Sequence, residues 1–265
     1  SLVACAAGMA AKEVMVSAPL LVLLYARMFV AGSFRAALRS RFPYYALLAS
    51  SWIVLAALVL GTENRGASAG LDAGVAWPDY ALTQLHAIAH YLRLAVWPRP
   101  LVFDYGTALV RAPLLLAVGG GVILALLVGI VFAFRRWPLA AFGGIAFFAL
   151  LAPSSSVVPI ATQTIAEHRV YLALAVPLAL FVVGLHRWLG RRTLFAALPL
   201  ALVLGLATRA RNADFRSAYD LWHDTVAKVP GNARAHYNLG VALLAGRSGY
   251  RAADAFTAAI KLEPN

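Results

Sequence analysis

Apolar runs as long as a bilayer is thick dominate this sequence, and they constrain it to a polytopic helical fold. A spanning helix needs about 20 apolar residues, fewer in a packed bundle. Six runs qualify: roughly 14–33, 44–60, 112–134, 138–152, 170–186 and 193–208. Hydrophobic residues make up 62% of the chain and charged residues 13%, against roughly half and a quarter in an average soluble domain. The expected fold class is all-α, a transmembrane helix bundle of about six spans over residues 1–208. The first ten residues are expected to finish an earlier helix or a re-entrant segment. Between the second and third spans, residues 61–111 form an insertion that begins polar and Gly-rich and then carries a helical pattern from Asp79 to Trp97.

A net charge of +12 would point to nucleic acid in a soluble protein. Here the arginines fall in short clusters between apolar runs, and no basic face with interleaved aromatics appears, so nucleic acid is not an expected partner. The connections holding Arg35, Arg39 and Arg41, then Arg135 and Arg136, then Arg187, Arg191 and Arg192 are short and free of acid. The positive-inside rule puts all three in the cytoplasm. All eleven Asp and Glu residues, Glu63 and Asp72 among them, then fall on the opposite face, as a consistency check. Cys5 stands alone in an apolar run, which excludes a disulfide framework and a thiolate metal site. The chain opens at Ser1 inside an apolar run, with neither Met nor a basic leader, and stops just after a helical repeat. Both ends are expected to be cut from a longer protein.

From Arg209 the composition turns soluble, and residues 209–265 read as a separate domain. A period of 34 appears: Ala218, Trp222, Thr225 and Pro230 recur as Ala252, Phe256, Ala259 and Pro264, with Leu239 and Gly240 on an intervening helix. These positions resemble the tetratricopeptide repeat, in which small residues let paired helices approach and a proline ends the second helix. Such a helical solenoid needs roughly three units for stability, so further repeats are expected to follow, outside the cytoplasm.

Three ionic groups are expected at the same outer rim. Lys12-Glu13 enters the first span, either as a snorkelling, mutually neutralised pair or as a phosphate contact, Lys12, held by Glu13. In the insertion, Asp79 is placed to cap a helix. His86, His90 and Arg93 share one face of that helix; two histidines four apart without an intervening Glu do not make a zinc motif, and no divalent metal is expected. The helix is expected to lie in the membrane interface, with Leu85, Ile88 and Leu92 towards lipid. Past it, Trp97 to Tyr105 reads as an aromatic belt with turn prolines or as a sugar site built on Asp104 beside aromatic rings. The third group is the loop from Pro153 to Tyr171. Glu167, His168 and Arg169 there are costly at a membrane boundary unless they pair or bind something: Arg169 suits a bidentate phosphate clamp with Glu167 orienting it, or the two form a structural ion pair.

Together these motifs resemble the transmembrane proteins with tetratricopeptide repeats that act as protein O-mannosyltransferases, and their bacterial relatives, within the polytopic glycosyltransferases that use polyprenyl-phosphate sugars. The resemblance is carried by Lys12-Glu13 entering a span with Pro19, by Trp97-Pro-Arg-Pro-Leu101 running to Asp104-Tyr105, by Pro153-Ser-Ser with Ile165-Ala-Glu-His-Arg-Val-Tyr-Leu172, and by the tail from Trp222 to Pro230. It covers essentially the whole chain. One departure is Ala173, where the family usually has proline. The resemblance implies a multi-pass protein of the bacterial inner membrane that moves a sugar from a lipid-phosphate donor, its substrate, to a hydroxyl on an acceptor protein held by the repeats. It implies phosphate binding for Lys12 and Arg169, and substrate-binding or supporting roles for Glu13, Asp104, Tyr105, Glu167, His168 and Tyr171. The family's catalytic base lies in a loop upstream of Ser1, so no residue here is assigned to it. Two rival hypotheses are a non-catalytic membrane scaffold that anchors the repeats and a transporter, the latter disfavoured because transport sites prefer interrupted helices at the bilayer midplane.

Overall fold

A computed structural model describes residues 2–264 except 62–74, 158 and 161; Glu63 and Asp72 lie outside the described residues. The fold is all-helical, with no strand among the described residues. In order the helices are α1 (Leu2–Ala11), α2 (Ala18–Ala26), α3 (Phe34–Ala49), α4 (Ser51–Gly61), α5 (Trp77–Val96), α6 (Pro113–Arg136), α7 (Pro138–Ala152), α8 (Val170–Leu189), α9 (Thr193–Ala213), α10 (Ala218–Lys228), α11 (Ala233–Ala245) and α12 (Gly249–Leu262). Two compact units form. Ser1–Leu92, Val110–Ala161 and His168–Leu180 make the first; Arg93–Leu109, Thr162–Glu167 and Phe181–Asn265 make the second.

Among the described residues, four stretches are long and apolar enough to cross a membrane: Val14–Ala31, Pro113–Arg136, Pro138–Ser155 and Glu167–Ala213. Two of the six expected spans, 170–186 and 193–208, fall in the last stretch, which turns at Gly190 (φ +56°) between α8 and α9. The expected span at 44–60 is interrupted. Arg41 leaves helical geometry two residues before Pro43, and at the α3–α4 junction the Ser50 and Ser51 hydroxyls donate to Leu47 O and Leu48 O, a back-bonding that bends helices. Along α6, Leu114, Val118, Leu124, Val131 and Phe132 are exposed, the surface expected of a helix facing lipid.

Helix α5 departs from expectation in what covers its apolar face. Tyr80, Thr83, Gln84, Ala87, Ile88, Tyr91 and Leu94 are all buried, and their spacing of three and four defines one continuous face of the helix. Ile88 therefore packs into protein rather than towards lipid, while Leu85 and Leu92 are half-buried. The stripe contains Thr83 and Gln84, which need partners that lipid does not offer; Thr83 Oγ1 donates to Asp79 O at 2.9 Å and accepts from Val110 N at 3.1 Å. Close approach of α6 completes the arrangement. A Cβ on Gly119 would lie 2.4 Å from Leu85 O, a backbone atom that cannot step aside. Gly119→Ala is therefore expected to force α5 and α6 apart and cost about 2 kcal/mol, read as a lowered unfolding midpoint in detergent. Gly121→Ala, whose Cβ would meet nothing within 4 Å, should leave the midpoint in place; equal midpoints for the two variants would refute the close packing.

In the second unit, α10 is capped by Ser217, which accepts from Asp220 N, and α11 by Asn232, which accepts from Ala235 N. Leu239, Leu243, Ala252 and Ala255 form the core of α11 and α12, with Tyr219, Trp222, Val226 and Phe256 packed against it. Gly240 sits under the Phe256 ring, where a Cβ would fall 2.6 Å from a ring carbon.

Candidate functional site

In the first unit the chain brings three distant segments together. Lys12 precedes a tight 3-10 turn, Glu13–Ser17, which packs against α7 and against the wide turn Pro153–Val157 that follows it. Pro153 sits where α7 ends, and the turn presents the Ser154 carbonyl to α5, where the fully buried Tyr80 donates its hydroxyl at 3.1 Å. The same hydroxyl accepts from Arg169 Nη1 at 3.2 Å. Burial pushes the Tyr80 phenol above its ordinary pKa, and the lowering effect of the Arg169 charge does not offset that, so the hydroxyl keeps the proton it donates to Ser154 O.

Arg169 closes the short turn Glu167–Arg169 and is 6% exposed. Water screens the charge of a guanidinium held this deep only weakly. His168 is exposed beside Arg169. Lys12 is exposed, Tyr171 is 78% exposed on the first turn of α8, and the side chain of Glu13 lies outside the described residues. Ala173 is fully buried.

Asp104, Tyr105 and Glu167 belong to the second unit, where they organise a loop. The Asp104 carboxylate, 3% exposed, accepts a bidentate pair from Arg234, Nε to Oδ2 and Nη2 to Oδ1, both at 2.7 Å. Its Oδ1 also accepts from Gly106 N at 2.8 Å, and Asn232 Nδ2 donates to its backbone oxygen at 3.0 Å. Gly106 is required at this bend: its φ is +78°, and a Cβ would meet the Asn232 amide at 3.2 Å. Glu167 Oε1 accepts from Val102 N and from Tyr105 Oη, each at 2.7 Å. These acids are thus engaged by protein partners that hold residues 102–106 in shape.

Arg234 and Asn232 are the residues that motif reading missed. An Asn after Pro-Gly at a helix start signals a cap, and that much was legible; nothing in the sequence signals that Arg234 answers Asp104. His86 and His90 stack on α5 with ring centroids 6.0 Å apart. Chemically, the first unit offers a buried guanidinium with a lysine and an imidazole nearby, a set suited to an anionic group, while the second offers a rigid loop fastened to helix α11. Comparison with protein-family models, with characterised proteins and with solved structures finds no match to this chain.

Proposed function

We propose that the protein is a membrane glycosyltransferase of the tetratricopeptide-repeat O-mannosyltransferase type, moving a sugar from a polyprenyl-phosphate donor to a hydroxyl acceptor on the extracytoplasmic face. The observation that supports this reading is the meeting of three segments far apart in sequence: the turn after Lys12 packs on the 153–157 turn, which Tyr80 links to Arg169. In the reaction, the bond from sugar C1 to the donor phosphate breaks as a bond from C1 to the acceptor oxygen forms. The acceptor proton passes to a general base, a role assigned to no residue of this chain. Negative charge grows on the departing lipid phosphate, and fixed cations answer it without reorganising. Arg169 supplies a planar pair of donors and Lys12 a mobile point charge. The 34-residue period and the close Gly240–Phe256 packing support α10–α12 as repeat helices that hold the acceptor.

The test is transfer by the intact protein in liposomes, with a mannosyl polyprenyl-phosphate donor and a hydroxyl-bearing acceptor. Lys12→Ala is expected to slow transfer roughly tenfold, less than an enclosed donor would cost because this lysine is exposed to water and salt. Membrane insertion should be unchanged. If no sugar moves in the wild-type protein while the acceptor is still retained, the scaffold reading takes over.

A further inference from the structure

At the end of α9 the second unit forms an open cavity of ≈ 660 Å³. One wall is apolar, made by Leu204 and Ala207 of α9 and by Pro100 of the loop after α5; the rest carries Arg99, Arg211 and Lys228. Two of these cations are already engaged. Arg211 Nη1 donates to Asp214 and to Asp224, each at 2.7 Å. Lys228 donates to Asp224 at 2.7 Å and to Leu101 O at 2.8 Å, which leaves one of its three ammonium hydrogens. Burial raises the Asp224 pKa, but the bonds from Lys228 and Arg211 outweigh it and hold the carboxyl below its ordinary range. Arg99 is exposed, and among the described residues its guanidinium makes no hydrogen bond or ion pair. Three cations therefore face two carboxylates, and the excess charge sits on Arg99.

Helix α9 shows what would meet that charge. It is apolar through Leu206, with Leu204 45% exposed, and becomes cationic at Arg209 and Arg211. That switch marks the depth at which a bilayer changes from hydrocarbon to phosphate. We propose that this cavity is a binding site for an anionic phospholipid, its phosphate on Arg99 and the free hydrogen of Lys228, the start of its acyl chains along Leu204 and Ala207. A free anion would leave the apolar wall uncovered, and a zwitterionic lipid would bring its own cation against Arg99. The site is built without Lys12 or Arg169 and does not depend on the proposed reaction.

The experiment titrates the full chain in detergent with short-chain phosphatidylglycerol or phosphatidylcholine and counts retained lipid by native mass spectrometry. Phosphatidylglycerol should be retained at least fivefold more tightly than phosphatidylcholine. Arg99→Gln should remove roughly fivefold, the effect of one cation at an anionic surface. This arginine has no structural partner to lose, so folding should survive. Arg216→Gln, exposed and outside the cavity, should bind as wild type does, and millimolar inorganic phosphate should fail to displace the lipid. Equal retention by Arg99→Gln and wild type, or an equal loss in Arg216→Gln, overturns the proposal. Displacement by phosphate overturns the lipid and leaves only an anion site.

Discussion

For the sugar transfer proposed above, Arg169→Ala is expected to lower kcat by about 100-fold or more, the loss that follows when one enclosed electrostatic donor is removed from a site of developing negative charge. The expectation follows from depth. Arg169 is 6% exposed, so its charge acts through a medium far less screening than water, and no solvent molecule substitutes for it cheaply. Arg169→Lys restores the charge without the planar fork and should recover only part of the rate. Folding is the rival explanation, since the substitution also removes the donor to Tyr80 Oη. It is separated by the unfolding midpoint: a lost kcat with an unmoved midpoint assigns the effect to chemistry. Wild-type kcat in Arg169→Ala would remove the phosphate role altogether.

Arg234→Ala should loosen the second unit strongly, because it takes the cation from a buried carboxylate and leaves it the Gly106 N–H. Asp104 is 3% exposed and receives both bonds of the guanidinium fork. Breaking a buried pair from one side costs about 3–5 kcal/mol; with the arginine side chain 34% exposed, the lower end, about 3 kcal/mol, is expected. Hydrogen exchange is the suitable measurement, since it reports local opening. Amides of residues 102–106 and of the α11 start at Ala235 should exchange roughly 100-fold faster. The exposed Arg216→Ala should stay within about 0.5 kcal/mol of wild type. Unchanged protection in Arg234→Ala would mean that the loop is held by Glu167 and Asn232 alone.

The sequence by itself determined that the chain is helical and largely apolar, where helices such as α6 and α7 run, and that a tail with small residues at a 34-residue period follows. These are local properties. Run length and periodicity are written in consecutive residues and survive whatever the helix packs against. It also placed Lys12, Arg169 and the 153–157 turn under suspicion, since charges and prolines beside apolar runs are costly unless used. Only the tertiary structure decided that α5 is a core helix, because a periodic apolar stripe looks the same whether lipid or protein covers it; Gly119 opposite Leu85 makes the difference. It alone joined Asp104 to Arg234 and Tyr80 to Arg169. An ion pair or hydrogen bond between residues far apart in the chain depends on the distance that folding leaves between them, and no pattern along the backbone encodes that distance.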